Sequence, residues 1–149
     1  MGRLLILLLA ASSAHAGATL ETTPGVINPN VTQANIGQTI CVPGWTKTIR
    51  PPTSYTNKLK YRQMQDGALP LSARDYELDH LIPLSIGGHP TSPDNLWPQP
   101  WKGEYGAHRK DVLENVLHRL VCSGKLPLAD ARRAIAGDWK AAYQLYVAD

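Results

Sequence analysis

The sequence predicts a small α+β domain, and three observations support this fold class. The chain has 149 residues, 43% hydrophobic and 18% charged, which suits one compact domain and excludes a disordered polyelectrolyte. Its C-terminal third carries apolar residues at helical spacing. Its middle carries two short runs typical of strands, separated by a loop rich in Gly and Pro. The net charge of +3 permits an anionic partner without requiring one.

The first 16 residues are typical of a secretory signal peptide. Arg3 supplies a charged start, Leu4–Ala11 is an unbroken apolar run, and Ala14–Ala16 is a small-residue cleavage pattern. The apolar run is far shorter than the roughly 20 residues that span a membrane. We therefore expect a periplasmic or extracellular protein, cleaved near Ala16, with no membrane segment in its mature form. A buried first strand or helix is the alternative.

Cys41 and Cys122 are the two cysteines of the chain. The sequence has no C-x-x-C pair, which excludes zinc ribbons and thioredoxin-type redox sites. In an oxidising compartment we expect one disulfide between them. Closing so long a loop would stabilise the fold by roughly 4–5 kcal/mol in the chain-entropy model. Two unpaired buried thiols are the alternative.

Residues 17–38 are mostly small and polar, and we expect an extended or flexible arm there, before a domain at 39–149. Two proline-containing breaks, Pro43-Gly44 and Pro51-Pro52, interrupt regular structure after the arm. This region therefore predicts short extended pieces followed by a helix from about Ser54 to Gln65.

The segment between Thr22 and Gln65 is basic and holds no acidic residue. Three aromatic rings, of Trp45, Tyr55 and Tyr61, interleave with its cations, which are Lys47, Arg50, Lys58, Lys60 and Arg62. Cations among aromatic rings suit contact with a nucleic-acid backbone. The same pattern fits a solvated face above core aromatics, so both interpretations stay open.

The C-terminal third predicts three helices. Apolar residues recur at helical spacing between Tyr105 and Cys122, and Gly124 can supply a left-handed C-terminal cap. Pro127 can open the next helix, which we expect to end at Gly137. Asp138 then caps a short last helix with three core-packing rings on one face, those of Trp139, Tyr143 and Tyr146.

Residues 76–122 predict strand, loop, strand and helix in that order. Tyr76–Ile82 is the first strand and ends at Pro83, and Leu96-Trp97 belongs to the second. This stretch resembles the ββα-metal finger of the HNH endonuclease superfamily, also called the His-Me finger. The residues that carry the resemblance are, in order, Asp79-His80, Pro83, Gly87-Gly88, Asn95-Leu96 and His108. The flanking sequences resemble exported bacterial HNH-like proteins over most of the mature chain.

The resemblance implies a metal-dependent endonuclease with little sequence specificity that leaves 5′-phosphate and 3′-hydroxyl ends. His80 would be the general base, because a neutral imidazole accepts a proton near physiological pH. Asn95 would orient that imidazole through a hydrogen bond. Asp79 and His108 would hold the metal. Two protein ligands leave positions for water and phosphate oxygens, which favours Mg²⁺ or Mn²⁺, with Zn²⁺ or Ni²⁺ as alternatives.

Three acidic residues near His108 are alternative helix ligands, namely Glu104, Asp111 and Glu114. Adjacent residues of a regular strand point to opposite faces, so Asp79 and His80 converge only if the strand twists or ends there.

Arg109 and Lys110 are expected to contact phosphate together with the basic segment. The expected partner is nucleic acid, with DNA favoured over RNA, and the expected state is a monomer. The rival interpretation is a secreted, non-catalytic nucleic-acid-binding or structural domain with a degenerate HNH site.

Overall fold

A computed structural model describes residues 23–69 and 72–148 of the chain. Within this part of the chain it is a small mixed domain of helices and a two-stranded sheet, in agreement with the predicted α+β class. Its elements are α1 (Trp45–Ile49), α2 (Thr53–Asp66), β1 (Tyr76–His80), β2 (Leu96–Pro100), α3 (Ala107–Cys122) and α4 (Leu128–Tyr143). A π-helical turn at Gln144–Ala148 follows α4. The predicted signal peptide lies outside the described residues, and none of the described helices could span a membrane.

The predicted order of strand, loop, strand and helix is confirmed. Strands β1 and β2 are antiparallel, with Asp79 opposite Trp97 and His80 opposite Leu96. Strand β1 ends at His80, two residues earlier than predicted, and the amide and carbonyl of Ile82 bind the side chain of Asn95, both at 3.0 Å, instead of an opposite strand. Helix α2 contacts both strands.

The core forms where α3 and α4 pack on each other and on the loop between the strands. Its fully buried residues include Leu81, Ile86, Leu113, Leu117, Ile135 and Trp139. Asp138 has non-helical backbone angles, and its Oδ1 accepts from the amides of Lys140 and Ala141 at 3.0 and 3.1 Å. The predicted break and cap at Asp138 are therefore confirmed, as is the core packing of Trp139.

The predicted disulfide between Cys41 and Cys122 is also confirmed. It joins the segment before α1 to the last residue of α3. Gly124, just beyond, has a φ of 73°, the left-handed conformation expected of a helix cap.

Two N-terminal expectations differ from the structure. Within the predicted arm, residues 23–38 are not free: the Asn28 amide donates to the Gly87 carbonyl oxygen at 2.9 Å, and the His89 amide donates to that of Val26 at 2.7 Å. Val31 is buried in the core. Residues 45–49 are helical rather than extended, because Gly44 adopts a φ of 82° and turns the chain after Pro43.

Candidate functional site

Asp79 and His80 line the same polar cavity, of about 240 Å³, at the end of β1. The end of the strand at His80 fulfils the condition under which these neighbours can converge. The other polar side chains of the cavity wall are Thr46, Arg50, Glu77, Ser85, Asp111, Glu114 and Asn115. Residues of α1, β1, the loop after β1 and α3 therefore form the wall of one cavity.

The hydrogen bond of His80 fixes which nitrogen of its ring can act as a base. Its Nε2 lies 2.9 Å from the carbonyl oxygen of Pro90. A carbonyl oxygen only accepts, so Nε2 carries a hydrogen, and Nδ1 is the basic nitrogen of the neutral ring. Burial lowers the pKa of His80 below its usual 6.5, although the bond to Pro90 and the charge of Asp79 oppose the change. The imidazole is therefore neutral at physiological pH.

Asn95 is fully buried, and its side chain binds the backbone of the loop rather than the imidazole. Its Oδ1 accepts from the amides of Ile82 at 3.0 Å and Val26 at 3.2 Å. Its Nδ2 donates to the carbonyl oxygens of Ile82 and His89, both at 3.0 Å. These four hydrogen bonds use both donors and both acceptor positions of the Asn95 amide, so it makes no direct bond to His80. Asn95 instead holds the loop next to Pro90, whose carbonyl oxygen binds the imidazole.

The two glycines of the loop meet two different steric demands. Gly87 has a φ of 75°, in the left-handed region that favours glycine. A side chain on Gly88 would collide with the carbonyl oxygen of Ile82. The loop can therefore approach β1 closely enough for Asn95 to bridge its backbone.

Lys110 fills the space between Asp79 and helix α3. Its Nζ lies 2.7 Å from Asp79 Oδ2, 2.6 Å from Glu114 Oε1 and 2.8 Å from the carbonyl oxygen of His80. Burial alone would lower the pKa of Lys110, but the charges of Asp79 and Glu114 outweigh burial and raise it, so the ammonium stays charged. Its side chain is 1% exposed, which does not fit the expected contact of Lys110 with phosphate.

The cavity wall is rich in carboxylates. Burial raises the pKa of Glu77 to about 8, and the charges of Asp79, Asp111 and Glu114 add to the rise. Burial also raises the pKa of Asp111. Glu77 is therefore largely neutral at pH 7. Asp79 and Glu114 pair with the buried ammonium of Lys110, and Arg50 is an exposed cation of the cavity wall.

His108 does not join Asp79 and His80 in their cavity. It is exposed, and its ring lies 5.4 Å from that of Trp101, beside a separate cavity of about 720 Å³. The buried face of α3 explains this position. Lys110 belongs to that face together with Leu113, and His108, two residues before Lys110, points about 200° away around the helix. The expected convergence of Asp79, His80 and His108 is therefore not observed.

The predicted metal pair does not fit the structure. Asp79 is paired with an ammonium group, and His108 lines another cavity. Across residues 23–69 and 72–148, no three or more His, Cys, Asp and Glu side chains are grouped as metal ligands. The alternative helix ligands Asp111 and Glu114 do line the cavity of Asp79, whereas the alternative Glu104 does not.

The predicted phosphate-binding residues divide into exposed and engaged ones. Lys47, Lys58 and Arg62 are exposed, as is Arg50 at the cavity of His80; Lys58 and Arg62 line a separate shallow depression. Lys60 is engaged, because its Nζ donates to the carbonyl oxygens of Ala73 and Tyr76 at 2.9 and 3.0 Å. Arg109 is also engaged: it donates to the carbonyl oxygen of Glu104 at 3.2 Å and its guanidinium lies 4.6 Å from the ring centre of Tyr143.

No protein-family model, curated protein or solved structure matches this chain. The chemistry of the cavity therefore rests on its own side chains. Lys110 is the residue whose position differs most from its predicted role of contacting phosphate. Its spacing indicates burial: it stands three residues before Leu113 and seven before Leu117, on the apolar stripe of α3, where a lysine needs buried carboxylate partners.

Proposed function

We propose that this chain is an exported phosphodiester hydrolase of the HNH type, which cuts nucleic-acid backbones with little sequence preference. The observation that carries the proposal is the state of His80. Its imidazole is neutral, its Nε2–H is bound to Pro90, and the residue lines a polar cavity. A neutral imidazole held by one nitrogen suits a general base that uses the other.

In this mechanism Nδ1 of His80 takes a proton from a water molecule. The resulting hydroxide attacks phosphorus, a new P–O bond forms, and the bond to the 3′ oxygen breaks. The leaving oxygen takes up a proton from solvent, which yields 5′-phosphate and 3′-hydroxyl ends. Arg50, exposed at the same cavity, is suited to bind a phosphate oxygen and to offset the charge that develops there.

The proposed substrate is the nucleic-acid backbone, with DNA favoured over RNA. Lys47, Lys58 and Arg62 offer exposed positive charge outside the cavity and would supply affinity without reading base edges. Such binding weakens steeply with added salt. The disulfide between Cys41 and Cys122 fits an oxidising compartment, as the proposed export requires.

Cleavage of supercoiled plasmid by residues 17–149 tests the proposal. Wild type and His80→Ala are compared in EDTA and with added Mg²⁺ or Mn²⁺, which also tests the predicted metal requirement. His118→Ala is the matched control, because His118 bonds the Ile40 carbonyl oxygen and does not line the cavity. We expect nicking by wild type and His118→Ala and its loss in His80→Ala. Equal nicking by all three proteins would contradict the role of His80.

A non-catalytic nucleic-acid-binding domain is the second candidate, and Lys110 is the observation that favours it. Its ammonium neutralises Asp79, the carboxylate that the HNH resemblance assigns to metal binding. Binding of labelled DNA in a gel-shift assay, with no cleavage under any of the ionic conditions above, would favour this candidate.

A further inference from the structure

The ammonium group of Lys110 sits in a closed cage of three oxygen atoms. The cage consists of Asp79 Oδ2 at 2.7 Å, Glu114 Oε1 at 2.6 Å and the His80 carbonyl oxygen at 2.8 Å. Its N–H groups donate hydrogen bonds to Glu114 Oε1 and to the His80 carbonyl oxygen, and Asp79 Oδ2 forms an ion pair with it. Lys110 is therefore enclosed by oxygen atoms of the protein and acts as a fixed internal cation.

The cage has the chemical character of a site for a hard cation. Two of its oxygens belong to carboxylates and the third to a backbone carbonyl, which are the ligand types that Mg²⁺, Mn²⁺ and Ca²⁺ prefer. The lysine side chain is 1% exposed and belongs to the buried face of α3, so packing holds the ammonium in place. A divalent ion that binds Asp79 at this oxygen would have to displace Lys110.

We propose that Lys110 is the resident cation of this site, so that the intact protein does not bind a divalent ion through Asp79. Removal of the ammonium would convert the cage into a divalent-cation site, with water completing the coordination. In the proposed hydrolase with Lys110 in place, His80 would act next to the Lys110 ammonium instead of a metal ion, and cleavage would persist in EDTA. The proposal about cation binding itself does not depend on hydrolysis.

Mn²⁺ binding, measured by the loss of the free-ion signal in electron paramagnetic resonance, tests this proposal without any nucleic acid. The proteins are wild type, Asp79→Asn, Lys110→Ala and the double variant Lys110→Ala/Asp79→Asn. Lys125→Ala is the matched control, because Lys125 is exposed and does not line the cavity. We expect equally weak binding by wild type, Asp79→Asn and Lys125→Ala. Lys110→Ala should bind one Mn²⁺ at least tenfold more tightly, and the double variant should lose this gain.

Two results would overturn the proposal. One is tight binding of a single Mn²⁺ by wild type that Asp79→Asn abolishes. The other is a folded Lys110→Ala protein that binds Mn²⁺ no more tightly than wild type. If Lys110→Ala does not fold, the comparison of wild type with Asp79→Asn decides alone. Failure of this test leaves cleavage by wild type and its loss in His80→Ala unaffected, so the two proposals fail separately.

Discussion

His80 and His108 belong to one predicted site but occupy two different environments. His80 is buried at the end of β1, with one nitrogen bonded to Pro90. His108 is exposed on α3 and lies against Trp101, which follows the last residue of β2. The two strands are antiparallel and five residues long, so these ends of the sheet are roughly 13 Å apart. Two histidines of one predicted site therefore differ in chemistry, because burial and a hydrogen bond to one nitrogen make His80, and not His108, the candidate base.

Removal of each histidine in turn should give the largest difference between the two environments. We expect His80→Ala to lower the rate of plasmid cleavage by about 10²–10⁴-fold, the usual contribution of a general base. His108→Ala should change the rate little, because this ring does not line the cavity of His80. The measurement is the initial rate of nicking under identical salt. Equal losses of the cleavage rate in the two variants would show that His108 takes part in catalysis and would contradict this prediction.

The next test compares the stability of two lysine variants, one buried beside Asp79 and one exposed near His108. Lys110→Ala leaves Asp79 and Glu114 without their buried partner, and breaking such a pair destabilises by about 3–5 kcal/mol. Lys102→Ala, an exposed lysine at the cavity of His108, should stay within about 0.5 kcal/mol of wild type. Urea unfolding of both variants measures the difference. A Lys110→Ala protein as stable as wild type would mean that the ion pairs contribute nothing to the fold.

Asn95 stabilises the loop on the side of His80. Asn95→Ala would leave the buried amide and carbonyl of Ile82, and half-buried backbone groups of Val26 and His89, without their partner, which should cost at least about 2 kcal/mol. Asn115→Ala is the control, since Asn115 is exposed at the same cavity. Denaturant midpoints of the two variants test this prediction. Equal midpoints would contradict the role of Asn95 in stabilising the loop.

The pH dependence of cleavage gives the smallest expected effect. A general base must be unprotonated, and burial lowers the pKa of His80 below 6.5. Cleavage should therefore still exceed half of its maximum rate at pH 6.5, and the midpoint of its decline should lie below pH 6.5. A rate profile between pH 4.5 and 8 measures this midpoint. A midpoint above pH 6.5 would indicate a base with a raised pKa, contrary to the environment of His80.

Much of the fold follows from local patterns in the sequence. Helix α2 was predicted at Ser54–Gln65 and observed at Thr53–Asp66, because the proline pair before it and the glycine after it bound the helix. The break at Asp138 was predicted from the residues next to it, and the disulfide from the presence of two cysteines in an exported chain. The packing of residues 23–38 on the domain was not predicted, because it depends on hydrogen bonds to a loop that lies far along the chain.

The candidate site was only half predictable. The strand residues Asp79 and His80 were assigned to one site, and they do line one cavity. His108 was predicted to join them and does not, because each helical position turns about 100°, and spacing from Asn95 does not tell which face of α3 meets the sheet. That face is decided by the apolar residues Leu113 and Leu117, which bury Lys110 and expose His108.

The most direct test of the role of His80 is the state of its imidazole nitrogens, measured by long-range ¹⁵N–¹H NMR across a pH titration. The structure predicts that the neutral ring carries its hydrogen on Nε2, with a bare Nδ1, and that the midpoint of ring protonation lies below pH 6.5. A ring that carries its hydrogen on Nδ1, or that is doubly protonated at pH 7, would contradict the account.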